Sequence, residues 1–149
     1  MMLVALSGGA AMAAGNAPPP AVDLRAEADQ SRLAGRPLIV IFSRPDCKYC
    51  ELVKRDYLKP LEANPRYRGL LVRQVDQDSD APLTDFRGEK TTQARFASAE
   101  KIKLVPVVAF YGANGKRLAD PIIGARLPDF YQSYLEEAIE KSAATLGAH

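Results

Sequence analysis

The chain holds two cysteines, three positions apart in Cys47-Lys48-Tyr49-Cys50. Sulfurs spaced this way can meet across the first turn of a helix and cycle between dithiol and disulfide. The nucleophile in thiol–disulfide exchange is the thiolate, whereas a free cysteine titrates near about 8.5. A helix opening at Cys47 would favour the anion, because its unpaired N–H groups and the positive end of its dipole face the sulfur. Lys48 adds a cation beside Cys47 and Arg44 lies three residues upstream, while Asp46 opposes them through screening solvent. Cys47 is therefore expected to titrate near neutrality and to attack first. Cys50, one turn in and more buried, is expected to resolve the intermediate.

Other uses of two thiols set the comparison. Zinc needs four ligands, and His149 is the chain's one histidine. Covalent haem attachment is excluded, because Glu51 rather than histidine follows Cys50. A four-residue ring restrains an unfolded chain little, which argues against a purely structural disulfide. Two soft thiolates could instead carry Cu(I), so a non-enzymatic metal-handling module stays open. A redox-silent scaffold that binds a partner through residues 77–91 stays open too. No cofactor is expected.

Redox use of the pair requires a strand to deliver Cys47 and a helix to begin there. Leu38 to Phe42 is a continuous apolar run, as expected of a central buried strand. A helix over about 47–61 follows, with Leu52, Val53, Tyr57 and Leu61 inward and Pro60 near its end. Before the strand, residues 21–35 read as an extra N-terminal helix with Val22, Leu24, Ala28 and Leu33 apolar, ending at Gly35. Residues 70–76 form the next strand, and 77–91 read as a long polar loop. A short helix over about 92–101 leads to a strand at 105–111, a turn at Asn114-Gly115 and a strand over 118–123. The last helix spans about 128–144, with Phe130, Tyr131, Tyr134, Leu135, Ala138 and Ile139 as its core stripe. The fold class is therefore α/β, a mixed sheet with helices on both faces. Helical crossovers are expected to make the earlier strands parallel, and the Asn-Gly turn makes the last two antiparallel.

A chain of 149 residues suits one compact domain. Its net charge of +2 comes from interleaved acids and bases with no basic stripe, which argues against nucleic-acid binding. Residues 1–20 read as a signal-like or disordered leader: Met1 to Leu6 is apolar, and Ala11-Met12-Ala13 fits small-x-small cleavage. The domain is placed at 21–149. No segment approaches the length of a membrane span, so the mature protein is expected to be soluble.

These features together resemble the thioredoxin superfamily: a C-x-x-C after the first central strand, Val105-Pro106 opening the hairpin strand, and Gly124 before the last helix. A closer likeness is to the SoxW-like periplasmic thioredoxins. It rests on Phe42-Ser43-Arg44-Pro45-Asp46-Cys47-Lys48-Tyr49-Cys50, on the segment from Asp85 to Thr92, on Val105 to Tyr111, on Gly115-Lys116 and on Gly124, and it covers about residues 23–142. The resemblance implies a thioredoxin fold with a cis proline at Pro106. Pro106 would hold a substrate chain against Cys47, the Val105 backbone would pair with it as an added strand, and Lys48 and Tyr49 would shape the entrance. It further implies an exported, monomeric reductase of protein disulfides in the bacterial periplasm, kept reduced by a membrane or protein electron donor. A disulfide oxidase or isomerase is the alternative, since Lys48 stabilises the reduced thiolate. The chain also departs from the familiar pattern. Asp46 stands where thioredoxins carry tryptophan, Lys48-Tyr49 replaces Gly-Pro, and Val105 occupies a position that often holds threonine. Ile41 takes the place of the buried aspartate that manages the resolving thiol's proton, leaving Glu51 or water to do so.

Overall fold

A computed structural model of the chain describes residues 17–125 and 128–147. The leader expected over 1–20 therefore lies, through residue 16, outside the described residues. Strand β1 (Leu38–Ser43) is buried along its whole length, because it sits inside a four-stranded sheet ordered β2-β1-β5-β6. Its parallel neighbour is β2 (Leu71–Asp76), with Leu38 opposite Leu71 and Ser43 opposite Asp76. Its other neighbour is β5 (Val107–Tyr111), which runs antiparallel and places Val107 opposite Phe42. Strand β6 (Arg117–Ile123) pairs antiparallel with β5 and forms one edge.

The antiparallel β5 corrects the expectation of parallel early strands. Strands β1 and β2 finish at the same end of the sheet, and β5 starts there, opposite Phe42. The helix before it, α4 (Gln93–Ala99), has seven residues and spans about 10 Å. A return along a six-residue strand needs about 20 Å. The connection stays at one end, and β5 has to run back.

Alternation along β1 divides the interior into two cores. Leu38, Val40 and Phe42 join Leu24 and Ala28 of α1 (Leu24–Leu33) and Phe96 and Ala97 of α4. Ile39 and Ile41 face the second core, with Val53, Leu58 and Leu61 of the helix after β1 and Tyr131, Leu135 and Ile139 of α5 (Pro128–Gly147). Helices thus cover both faces. Asp23 caps α1 by accepting the Ala26 N–H at 3.0 Å, and of the four apolar positions Leu24 and Ala28 are buried while Val22 and Leu33 are exposed. In α5 the buried stripe is Tyr131, Leu135, Ala138, Ile139 and Ser142, whose hydroxyl donates to the Ala138 carbonyl at 2.7 Å. Phe130 and Tyr134 of the expected stripe point outward, since each lies about 100° around the helix from its buried neighbour.

The helix after β1 runs as α2 (Lys48–Val53), a wide π turn (Lys54–Leu58) and α3 (Lys59–Ala63). Pro60 does not end it. The proline ring removes one N–H and crowds the carbonyl four residues back, that of Asp56, and this carbonyl falls within the wide turn. Residues 77–91 are also more ordered than a loop. They hold β3 (Pro82–Thr84), which pairs antiparallel with β4 (Lys90–Thr92), and the connecting turn is tied by Asp85 Oδ1, which accepts the N–H groups of Arg87 and Glu89 at 2.8 and 2.9 Å. Three-residue strands are too short to show an alternating pattern in sequence.

Pro19 and Ala21 extend the sheet past β2: the Pro19 carbonyl accepts the Gln74 N–H and the Ala21 N–H donates to the Gln74 carbonyl, both at 2.9 Å. Half-buried Glu27 pairs with Arg73 at 2.9 Å, and burial still pushes its carboxyl above the usual range. At the β5–β6 turn, Asn114 and Gly115 take the left-handed φ values 63° and 75° that Asn-Gly favours. A Cβ on Gly115 would sit 2.8 Å from Phe86 Cδ2. Gly115→Ala is therefore expected to cost about 1–3 kcal/mol, read as a lower urea midpoint at unchanged slope. Among the described residues, no helix is long and apolar enough to cross a membrane.

Candidate active site

Strand β1 ends at buried Ser43, and the exposed turn Arg44-Pro45-Asp46 leads into Cys47. Cys47 is the N-cap residue of α2, with extended backbone (φ −113°, ψ 100°), and its Sγ accepts the Cys50 N–H at 3.1 Å. A sulfur thus fills the place that serine, threonine or aspartate takes at most helix starts. Cys47 and Cys50 are joined as a disulfide with their Cα atoms 5.2 Å apart. Cys47 is 8% exposed and Cys50 fully buried, so one sulfur lies toward the surface and the other behind it.

The register of β5 brings the second half of the site. With Val107 opposite Phe42, the preceding residues lie beside the end of β1 that delivers Cys47. The Val105–Pro106 peptide bond is cis, Pro106 is buried, and its carbonyl accepts the Gly124 N–H at 2.8 Å, which fixes the end of β6 against it. Tyr49, Val105 and Pro106 line one groove of about 730 Å³, together with Leu52, Leu104 and Ile123. Tyr49, Leu104 and Ile123 are 60, 69 and 64% exposed, so three large apolar side chains stand open to solvent at its rim. Three of the four residues expected around the cysteines thus meet in one groove. Lys48 is exposed on the same helical turn but does not line it. Leu104 and Ile123 were not singled out in the sequence. Leu104 could have been, as an apolar residue in a polar turn next to Val105-Pro106.

Ile41, six residues before Cys47, is fully buried in the second core, so β1 supplies no carboxylate at that position. Glu51 is engaged: its Oε1 lies 3.0 Å from the ammonium of Lys54, whose side chain is almost wholly buried one turn beyond Cys50. That lysine was also missed, although its i+4 spacing from Cys50 was legible. Among the described residues no third cysteine, histidine, aspartate or glutamate joins the two sulfurs in a metal-ligating cluster, and His149 lies outside those residues.

Comparison with known proteins agrees with this geometry. A model of the thioredoxin-like domain matches residues 24–139. No curated protein is a significant match to the sequence. Among solved structures, Trxlp from Edwardsiella tarda is 23% identical with a TM-score of 0.54, covering 77% of this chain and 98% of its own. The DsbH oxidoreductase is 20% identical at a TM-score of 0.54, covering 84% and 88% of the two chains. The periplasmic thioredoxin SoxS from Paracoccus pantotrophus is 15% identical at a TM-score of 0.50, covering 71% and 98%. At these identities the likeness is one of fold. The family match spans most of the chain and both cysteines, so the chain belongs to the thioredoxin-like family, and its Cys47–Cys50 disulfide has the C-x-x-C spacing of a thiol–disulfide oxidoreductase.

Proposed function

We propose that the protein is a reductase of protein disulfides in the bacterial periplasm. The observation that carries this reading is the outer sulfur of Cys47, placed at a helix start and held by the Cys50 N–H, two residues before Tyr49 of the apolar groove. In the dithiol form, the Cys47 thiolate attacks one sulfur of a substrate disulfide, forming a mixed disulfide and releasing the other sulfur as a thiolate. Cys50 gives up its proton and attacks Cys47 Sγ, which releases the second substrate thiolate and closes the Cys47–Cys50 bond. Two electrons from a membrane or protein donor then restore the dithiol. Pro106 and the Val105 backbone hold the extended substrate chain, and Tyr49 and Lys48 flank the entrance. The protein acts as a monomer. SoxS, a neighbour in fold described as periplasmic, and the SoxW-like sequence features support the compartment.

Direction depends on how strongly the thiolate is stabilised, since a stable reduced form makes an oxidant. Here Lys48 is exposed and its field screened, and Lys54 is held by Glu51. One backbone N–H and a helix start are modest stabilisers, which supports the reducing direction. Equilibration against dithiothreitol and glutathione buffers tests it. A midpoint near about −270 mV is expected, whereas one near about −120 mV would make the protein an oxidant of substrate thiols.

A further inference from the structure

Next to the apolar groove lies a second hollow of about 450 Å³, and Leu104 and Ile123 line both. Its charged residues are Lys101, Lys103, Arg117 and Glu100. Arg117 lies 3.7 Å from the Glu100 carboxylate, so those two charges answer each other. Lys101 and Lys103 are exposed, and among the described residues neither ammonium has an ion-pair partner. Among the described residues no acidic side chain lines the apolar groove, and Asp46 lines neither hollow.

The segment bearing these lysines is built to a fixed shape. Lys101 follows the end of α4 with φ 60°, a left-handed conformation in which glycine or asparagine is usual and a lysine Cβ is crowded. Its N–H donates to the Ser98 carbonyl at 2.9 Å, and the Ile102 N–H donates to the Ala97 carbonyl at 3.0 Å. Gln77 then ties the segment to the redox centre. Its side-chain amide donates to the carbonyls of Ile102 and Lys103 at 3.1 and 3.2 Å, and its backbone N–H donates to the Ser43 carbonyl at 2.8 Å. Ser43 ends the strand that delivers Cys47, so the two free cations stand at a set position relative to the disulfide.

From this arrangement, and resting on the reductase reading, we infer that the site selects disulfide-bearing chains of one composition. These carry an apolar side chain beside the reacting cysteine and carboxylates a few residues away. The apolar side chain meets Tyr49, Leu104 and Ile123, and the carboxylates meet Lys101 and Lys103. Exposed charges of this kind act mainly by steering the encounter, so the preference belongs to the association rate and fades as salt rises.

Two synthetic peptides test the inference. Each is closed by one internal disulfide with leucine beside a cysteine, and they differ only in carrying two glutamates or two lysines further along. With the reduced protein, the acidic peptide is expected to react about five-fold faster at low salt, and the gap is expected to close to within about two-fold at 0.5 M salt. K101E/K103E is expected to reverse the order. Because the readout is a ratio within one preparation, partial unfolding of a variant does not mimic it. Equal rates for the two peptides in the unaltered protein, or a preference that K101E/K103E leaves in place, would overturn the inference. A protein that reduces a small aromatic disulfide but ignores peptide charge loses only this inference; one that reduces neither peptide nor the small disulfide loses the reductase reading as well.

Discussion

Cys47→Ser is expected to lower the rate of disulfide reduction by about a thousand-fold or more, because the step that forms the mixed disulfide has lost its nucleophile. The serine can still accept the Cys50 N–H and cap α2, since serine is among the preferred capping residues. Thermal unfolding of the variant should therefore stay close to that of the reduced parent, which separates lost chemistry from lost structure. The companion change, Cys50→Ala, has a different signature. Cys47, the less buried of the two with 8% of its area exposed, attacks and has no partner behind it to complete the cycle. A covalent complex with a disulfide substrate should accumulate, visible on a non-reducing gel and released by dithiothreitol. If Cys50→Ala turned over normally while Cys47→Ala trapped the complex, the order of attack would be reversed. If neither variant lost activity, the redox role would fall.

The chemistry was legible because it is local. Two cysteines at this spacing, a continuous apolar run before them and a helical pattern after them lie within about twenty residues, and local periodicity specifies both elements. The rim of the groove was less legible. Leu104 and Ile123 come to the site from chain positions more than fifty residues beyond Cys50, through the pairing of β5 with β1 and of β6 with β5. No pattern within either segment marks that meeting. Strand direction failed for a related reason: a helical crossover implies a parallel return only when it is long enough to retrace the sheet, and α4 is not. In α5 the six apolar positions of the expected stripe were too wide for one buried face. The sheet took Tyr131, Leu135, Ala138 and Ile139 and left Phe130 and Tyr134 outside. Nothing in the local pattern marks Lys54, yet the turn that places it i+4 from Cys50 buries almost its whole side chain.

Phe86→Ala is the substitution expected to cost the most stability, and it falls in the segment that reads as loop. Phe86 is buried, with its ring centroid 4.8 Å from that of Tyr111 and 5.8 Å from that of Phe96. Phe96 in turn lies 5.9 Å from Phe42, so a chain of rings links the β3–β4 hairpin to the strand that delivers the cysteines. Phe86 also covers Gly115, where there is no room for even one added carbon. Removing a phenylalanine from such a position typically costs about 3–5 kcal/mol, a large part of the 5–15 kcal/mol available to a domain of about this size. The expected thermal midpoint falls by about 10–20 °C. Urea unfolding followed by far-ultraviolet circular dichroism measures it directly, and suits a chain with no tryptophan. A loss below about 1 kcal/mol would mean that the hairpin rests on the surface and could serve as an independent docking loop. The hairpin is instead bound in at both ends. The Thr84 N–H donates to the Val22 carbonyl at 2.9 Å and the Ala94 N–H to the Ser79 carbonyl at 2.8 Å, which locks it between the start of α1 and the start of α4. Residues 77–91 are thus a wall of the first core, and the loss of Phe86 would open that core beside Phe96, which stacks on Phe42 two residues before the turn that leads into Cys47.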